Sequence, residues 1–418
     1  MNSTRVYINK YLPIAIVYFF LNGLFLPVGL LFTSVLAPLF LLWLWKYPTF
    51  KALRWFFYLT IPLFVIHAFV GIESYGFYLK SYVLALTVYI FGMAFYQYLN
   101  NCNTLRYIYR KLLVLNAALT IAAVGFLFVP SLRKVFWDSN RISAGIQTLR
   151  LQMLTYEPSY YSTLFAPIAL YYLLKAVRGE LKQVWVYYCM VLIPLFLSLS
   201  FGVILGIGLA LLAVLIWNSR HTIFKRSNLK YLAGGGALII GTLVVMAVYF
   251  PNNIFFRRLN NILEGQDTSF NGRTLDSLKL SLAMVQQKSL WFGTGFGQAK
   301  VVGLQIYRKF YNWSLFTASD VRIPNGVADL LVTVGLLTVL LKFFLEFYLF
   351  FKTRVYSNYY RLTLWIFIFI YQFTGSYFTN IAEYAIWILA FQQNLFPEFN
   401  KTKSHPIESP VYSQIHPV

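Results

Sequence analysis

Between Tyr11 and Trp45 the chain carries no charged residue. Wound as one helix rising about 1.5 Å per residue, that run is roughly 50 Å long, too much for a single crossing of a hydrocarbon core about 30 Å thick. Asn22-Gly23 and Pro27 offer the turn that splits it into two spans. Further apolar runs lie at about residues 55–71, 79–99, 112–130, 184–199, 201–217, 231–250, 327–349, 362–378 and 381–396, and another starts at Pro158. The pattern predicts about 12 spans. Short basic segments close every second connection: Lys46, Lys51 and Arg54; Arg106, Arg110 and Lys111; Lys175, Arg178 and Lys182; Arg220, Lys225, Arg226 and Lys230; Lys352 and Arg354; Lys401 and Lys403. With both ends inside, all of these fall on one face, as the positive-inside rule requires.

The expected fold class is therefore all-α, a polytopic membrane helix bundle with a large, partly helical exported loop between spans nine and ten. Residues 1–250 hold spans one to nine and a smaller exported loop at 131–157. Residues 251–325 form the large exported loop, 326–396 the last three spans and 397–418 a cytoplasmic tail. A composition of 59% hydrophobic and only 11% charged residues excludes a soluble enzyme. Cys102 and Cys189 fall in a cytoplasmic turn and a span, which does not suit an exported disulfide framework. The chain has no Cys/His cluster for a metal, and no small-residue cleavage site follows its first apolar run, so the first span is expected to stay uncleaved.

Part of the net charge of +22 sits where topology does not demand it. Long loops translocate regardless of charge, yet both exported loops are basic. The first holds Arg133, Lys134, Arg141 and Arg150 against Asp138 and Glu157; the second holds Arg257, Arg258, Arg273, Lys279, Lys288, Lys300, Arg308, Lys309 and Arg322 against Glu264, Asp267, Asp276 and Asp320. A cationic surface at the edge of a bilayer points to an anionic substrate, or to bulk anionic phospholipid. No nucleic-acid partner is expected.

Asn271 is a candidate N-cap for a helix with an apolar stripe of Leu275, Leu278, Leu282 and Val285. Arg273 would then sit in the first turn, where a cation makes sense if an anion binds there too, or if the side chain simply extends to solvent. Tyr156-Glu157-Pro158-Ser159 opens a span: Pro158 suits the first helical position and Glu157 complements the dipole, or else Glu157 orients or deprotonates a sugar hydroxyl beside Arg141 and Arg150. Gly293-Thr294-Gly295-Phe296-Gly297 follows a helix and lacks the Lys-Ser/Thr of a phosphate loop, so it reads as a turn permitting close backbone approach. Trp291, Phe296, Tyr307, Phe310, Tyr311 and Trp313 either pack the loop against the bundle or form a stacking surface for sugar rings. Lys342 reads as a snorkelling lysine paired with Glu346, Asp329 and Glu383 as groups near the outer ends of their spans, and His67 as a packed polar residue.

The order of these motifs resembles the O-antigen polymerase and O-antigen ligase superfamily of bacterial envelope glycosyltransferases. The resemblance rests on Arg150 followed by Glu157-Pro158-Ser159 at the start of a span, the turn from Ser198 to Gly202, then Arg273, Gly293, Gly295, Gly297, Asn325 and Gly335. It covers about residues 130 to 340 by motif and the whole chain by topology. It implies a bacterial inner-membrane enzyme with its site facing the periplasm, and an undecaprenyl-pyrophosphate-linked glycan as donor and acceptor. Neither metal nor other cofactor is implied. Arg273, Arg150 and Arg141 would clamp the pyrophosphate, Glu157 would act on the acceptor hydroxyl, and Asn325 and Tyr156 would line the pocket, with Arg322 and Lys279 as further substrate-binding cations. A chain-length regulator is a further expected partner.

Ligases of that family commonly carry a histidine just before the loop asparagine, where this chain has Ile323-Pro324-Asn325. That favours a polymerase making O-antigen or a related surface polysaccharide over a ligase delivering finished glycan to lipid A core or another acceptor. Thr333 replaces the acidic residue often found two positions before the glycine. The rival outside the class is a polysaccharide transporter, which would show broken helices and charges at mid-membrane.

Overall fold

The 20-residue helix Pro158–Val177 has every side chain buried except that of Lys175. Pro158 sets the backbone of its first turn, and a helix apolar on all sides belongs in a protein interior. Helices Val184–Ser198, Phe201–Trp217, Tyr359–Tyr371 and Ile381–Phe391 pack against it. The computed structural model describes residues 2–27, 30–139, 141–143, 146–147, 149–217 and 254–401. The predicted ninth span, the basic segment Arg220 to Lys230 and the tail beyond Lys401 lie outside the described residues, as do the side chains of Arg141, Arg257 and Arg258.

In chain order the helices are α1 (Asn2–Phe19), α2 (Phe32–Val35), α3 (Ala37–Leu44), α4 (Leu53–Val70), α5 (Tyr75–Asn101), α6 (Leu105–Gly125), α7 (Pro130–Phe136), α8 (Pro158–Val177), α9 (Val184–Ser198) and α10 (Phe201–Trp217). There follow α11 (Ile254–Leu263), α12 (Thr268–Arg273), α13 (Leu275–Gln287), α14 (Ala299–Phe310), α15 (Gly326–Lys352), α16 (Tyr359–Tyr371) and α17 (Ile381–Phe391). Short strands β1 (Trp137–Asp138) and β4 (Arg150–Leu151) pair antiparallel, as do β2 (Arg141–Ser143) and β3 (Ile146–Gln147). The expected split of the first apolar run falls after Phe19. Asn22 is buried there, donating to the Tyr160 hydroxyl at 2.6 Å and accepting from Thr33 at 3.2 Å.

Among the described residues, four helical stretches are long and apolar enough to cross a membrane: Pro48–Val70, Tyr75–Asn101, Leu105–Phe128 and Gly326–Lys352. Shorter apolar helices accompany them, α9, α10, α16 and α17 included. Trp55, Tyr58, Leu59, Phe64 and Phe69 all point outward from α4. An apolar face of that extent marks a surface meant for lipid.

α15, expected as one uninterrupted span, is broken at Gly335, whose φ of 82° and ψ of 176° are not helical. The segment from Leu290 to Gly295 plugs the break. Thr294 and Gly295 donate their amides to Val332 and Thr333 at 2.7 and 3.0 Å, while Leu336 donates to Leu290 at 2.9 Å. Backbone groups freed by a broken helix inside a bundle need such partners. A Cβ on Gly335 would lie 2.2 Å from the Trp291 carbonyl oxygen, and one on Gly293 would lie 2.7 Å from the Gly335 nitrogen. The glycine-rich turn is thus a place of close backbone approach. His67, fully buried, bonds the Phe292 carbonyl through Nε2 at 2.7 Å and Tyr78 through Nδ1 at 3.0 Å, which holds the same segment from the other side.

Three expectations need correction. The apolar run assigned to 362–378 ends as helix at Tyr371, and Gln372 to Asn380 form a connecting segment. Asn271 is not the cap of the island helix. Asp267 caps α12, accepting from the Phe270 amide at 2.7 Å, while Asn271 turns back to the Gly265 carbonyl, also at 2.7 Å. Arg273 therefore ends α12, where the dipole favours a cation, and α13 starts after it; of the expected stripe Val285 is buried while Leu275 and Leu282 are exposed, and the buried face is Ser277, Leu280, Ser281, Met284 and Val285. Lys342 makes the expected pair with Glu346, at 2.9 Å, but its ammonium also reaches Glu383 of α17 at 3.1 Å, a partner the spacing along its own helix does not show.

Candidate active site

The break between α12 and α13, the N-termini of α8 and α15, strand β4, the turn from Ser198 to Gly202 and the segment 372–380 converge at one end of the bundle. At their centre the Arg273 guanidinium contacts the Glu157 carboxylate, Nη2 to Oε1, at 3.2 Å. The two residues are separated by 116 positions in sequence. Their side chains are 27% and 30% exposed, so water reaches the pair. Ser159 donates its hydroxyl to the same Glu157 oxygen.

Each partner is held by the elements around it. Asn325 caps α15 by accepting from the Ala328 amide at 3.0 Å, and its amide nitrogen donates to the carbonyls of Arg273 at 3.0 Å and Phe373 at 2.6 Å. One fully buried asparagine thus ties three chain segments together, and its part in the site is to fix the backbone of Arg273 rather than to face a ligand. Gly375 lies against the guanidinium: a Cβ built there would be 3.2 Å from Arg273 Nη1 and 3.2 Å from the Tyr371 ring. Arg150, in β4 opposite Asp138, is buried and donates Nε to the Ser198 carbonyl at 3.2 Å. Ser198 in turn accepts from Ser162 of α8 at 2.8 Å. The Ser-Gly turn and the Arg150 strand therefore meet beside the N-terminal turns of α8.

The electrostatics follow from this geometry. Burial pushes the Glu157 carboxyl up, but Arg273, the Ser159 hydroxyl and Arg150 outweigh it and hold the group below the usual glutamate value. Burial lowers the Arg273 guanidinium, and Glu157, with Tyr371 and Tyr377 nearby, raises it again to a net increase. The ionised pair is the stable form at neutral pH. Tyr377 is pushed up by burial first and by Glu157 next, which places its ring within the field of the pair.

Of the other expected residues, Tyr156 precedes Glu157 in the chain, its ring 4.7 Å from that of Tyr160. Arg322 is exposed; it acts on Tyr377, and its carbonyl accepts from the Tyr307 hydroxyl. Strand β2, which carries Arg141, lies beside α12. Lys279 is exposed on α13, and among the described contacts nothing joins it to the Arg273–Glu157 pair. Phe296 and Tyr307 are buried, Phe296 with its ring 5.5 and 5.6 Å from those of Tyr82 and Tyr78, while Trp291, Phe310, Tyr311 and Trp313 are exposed.

The segment from Thr374 to Tyr377 escaped the sequence reading because Phe373 and Phe378 kept the window apolar. Gln372, Gly375 and the capping Asn380, which accepts from Ala382 at 3.0 Å, were the available signal. Chemically, the pair offers an anion a guanidinium that already has a carboxylate to exchange with, and offers a hydroxyl the acceptor oxygens of Glu157. Among the described residues no group of three His, Cys, Asp or Glu side chains is arranged to hold a metal. Comparison of the chain with models of known protein families finds no match, and comparison with curated proteins finds no significant one.

Proposed function

We propose that this chain is a membrane glycosyltransferase of the polysaccharide polymerase type. In this reading it joins undecaprenyl-pyrophosphate-linked repeat units, with about 12 spans and the site facing the periplasm of a bacterial inner membrane. The observation that carries the reading is the Arg273–Glu157 pair, 3.2 Å apart and partly exposed, with Arg150 close enough to act on the same carboxylate. Arg273 and Arg150 stabilise charge growing on the pyrophosphate leaving group. Glu157, held ionised, accepts a hydrogen bond from the acceptor hydroxyl and orients it; a carboxylate of lowered pKa is a weak base, so orientation is its larger contribution. A donor arriving at Arg273 loosens its contact with Glu157 and frees that carboxylate for the acceptor.

One observation favours a second reading. A helix broken at Gly335 and the buried charges Lys342, Glu346 and Glu383 are features of transporters. The length of surface glycan in a strain lacking the protein separates the possibilities. Single repeats on an intact anchor are expected for a polymerase. Long chains stranded on undecaprenyl pyrophosphate identify a ligase, and unchanged length in both pools sends the assignment to transport.

A further inference from the structure

A line of polar side chains joins α15 and α17 to the segment 372–380. Lys342 of α15 contacts Glu383 of α17 at 3.1 Å and Glu346 at 2.9 Å, and donates to the Gln372 side chain. Glu383 accepts from Ser376 through its other oxygen, and Gln372 donates to Glu346 at 3.2 Å. The side chains of Glu383 and Glu346 are 3% and 6% exposed. Asp329 adds a further tie, accepting from the Phe378 amide at 3.0 Å.

Every one of these groups ends on the segment 372–380. That segment lays Gly375 against the Arg273 guanidinium, offers the Phe373 carbonyl to Asn325, and takes the Gly326 amide on its Gln372 carbonyl at 2.9 Å. Burying charge in an apolar bundle is costly, and well-packed apolar side chains of similar volume hold helices together as well or better. Hydrogen-bonded charges supply specificity instead: each is satisfied only when its several partners are in place, so a segment tied to them has one register.

We propose that Lys342 and Glu383 are positioning residues that hold segment 372–380 in the single conformation that sets Gly375 and Tyr377 against Arg273. The proposal rests on Arg273 being the anion clamp of the donor site. Glu383→Leu leaves the Lys342–Glu346 pair balanced while cutting the link to Ser376, and Ser376→Ala cuts the same link without touching a charge. Binding of inorganic pyrophosphate to the purified full-length protein, per folded molecule, is expected to weaken about tenfold in both variants, as small misplacements of a clamp do. Glu383→Gln, which keeps an acceptor for Ser376, is expected within about threefold of the parent. Parent-like affinity in Glu383→Leu and Ser376→Ala overturns the proposal, and so does a loss that only follows the fraction of folded protein. If the parent protein binds no pyrophosphate, the donor reading fails, and the proposal is judged on the segment itself. For that, Tyr377→Cys is placed in a chain whose Cys102 and Cys189 are serine. Thiol labelling at least about tenfold faster with Glu383→Leu supports it, and equal rates overturn it.

Discussion

Two of the cation–carboxylate pairs among the described residues differ in surroundings in a way that suits them to opposite uses. Arg273 and Glu157 stand 3.2 Å apart with 27% and 30% of their side chains exposed; Lys342 and Glu383 stand 3.1 Å apart at 19% and 3%. The first pair keeps water at hand, so either partner can trade the other for an arriving anion or hydroxyl at modest cost. The second cannot open without leaving a bare charge in an apolar bundle. One pair is suited to exchange, the other to holding.

That difference makes quantitative claims. The largest effect is expected from Lys342→Met, which strands Glu383 and Glu346: about 3–5 kcal/mol of stability should be lost, read as a fall in melting temperature in detergent. Adding Glu383→Leu and Glu346→Gln should recover most of it, and no recovery would mean that the charges are not coupled. Next, Arg273→Ala and Arg150→Ala should each cut polymer formation by at least about 100-fold, with the protein still inserted. For Arg273→Ala the stability change should stay within about 1 kcal/mol, as for other partly exposed pairs. A variant that still made full-length polymer would remove that arginine from the clamp.

A smaller effect concerns pH. Glu157 is held below its ordinary value, so the unfolded chain binds the proton more readily, and the pair's stabilisation is complete above about pH 4.3. It is lost as pH falls through the depressed value of the folded state. Melting curves between about pH 5 and 3 should therefore be steeper for the parent than for Glu157→Gln. The smallest effect is expected at Lys279: its replacement by alanine should change stability by less than about 0.5 kcal/mol. A turnover loss beyond tenfold would bring that lysine into the site.

The helices were legible wherever burial or lipid demanded an unbroken apolar run. α4, α5, α8 and α10 lie within a few residues of the expected spans because nothing distant competes with their local pattern. The structure brings Arg273, Glu157, Arg150 and Asn325 of the expected residues together, but their geometry was not legible in the sequence. Asp267 and Asn271 are both good caps, and the choice between them was made by the Gly265 carbonyl, which takes the Asn271 side chain. Gly335 stood in the motif order, but nothing in its local sequence signalled a break. It breaks α15 because Leu290 to Gly295, more than forty positions earlier in sequence, bring the backbone partners that make the break tolerable. Lys342 read as a surface-seeking lysine because its distant partners, Gln372 and Glu383, are invisible to local spacing.

The central claim is that Arg273 and Glu157 handle a pyrophosphate-linked donor and an acceptor hydroxyl. The most direct measurement adds synthetic undecaprenyl-pyrophosphate repeat units to the purified protein in liposomes and follows product length by mass spectrometry. The account predicts products of two and more repeats with release of undecaprenyl pyrophosphate, and none from Arg273→Ala. Equal extension by the parent and by Arg273→Ala would contradict it.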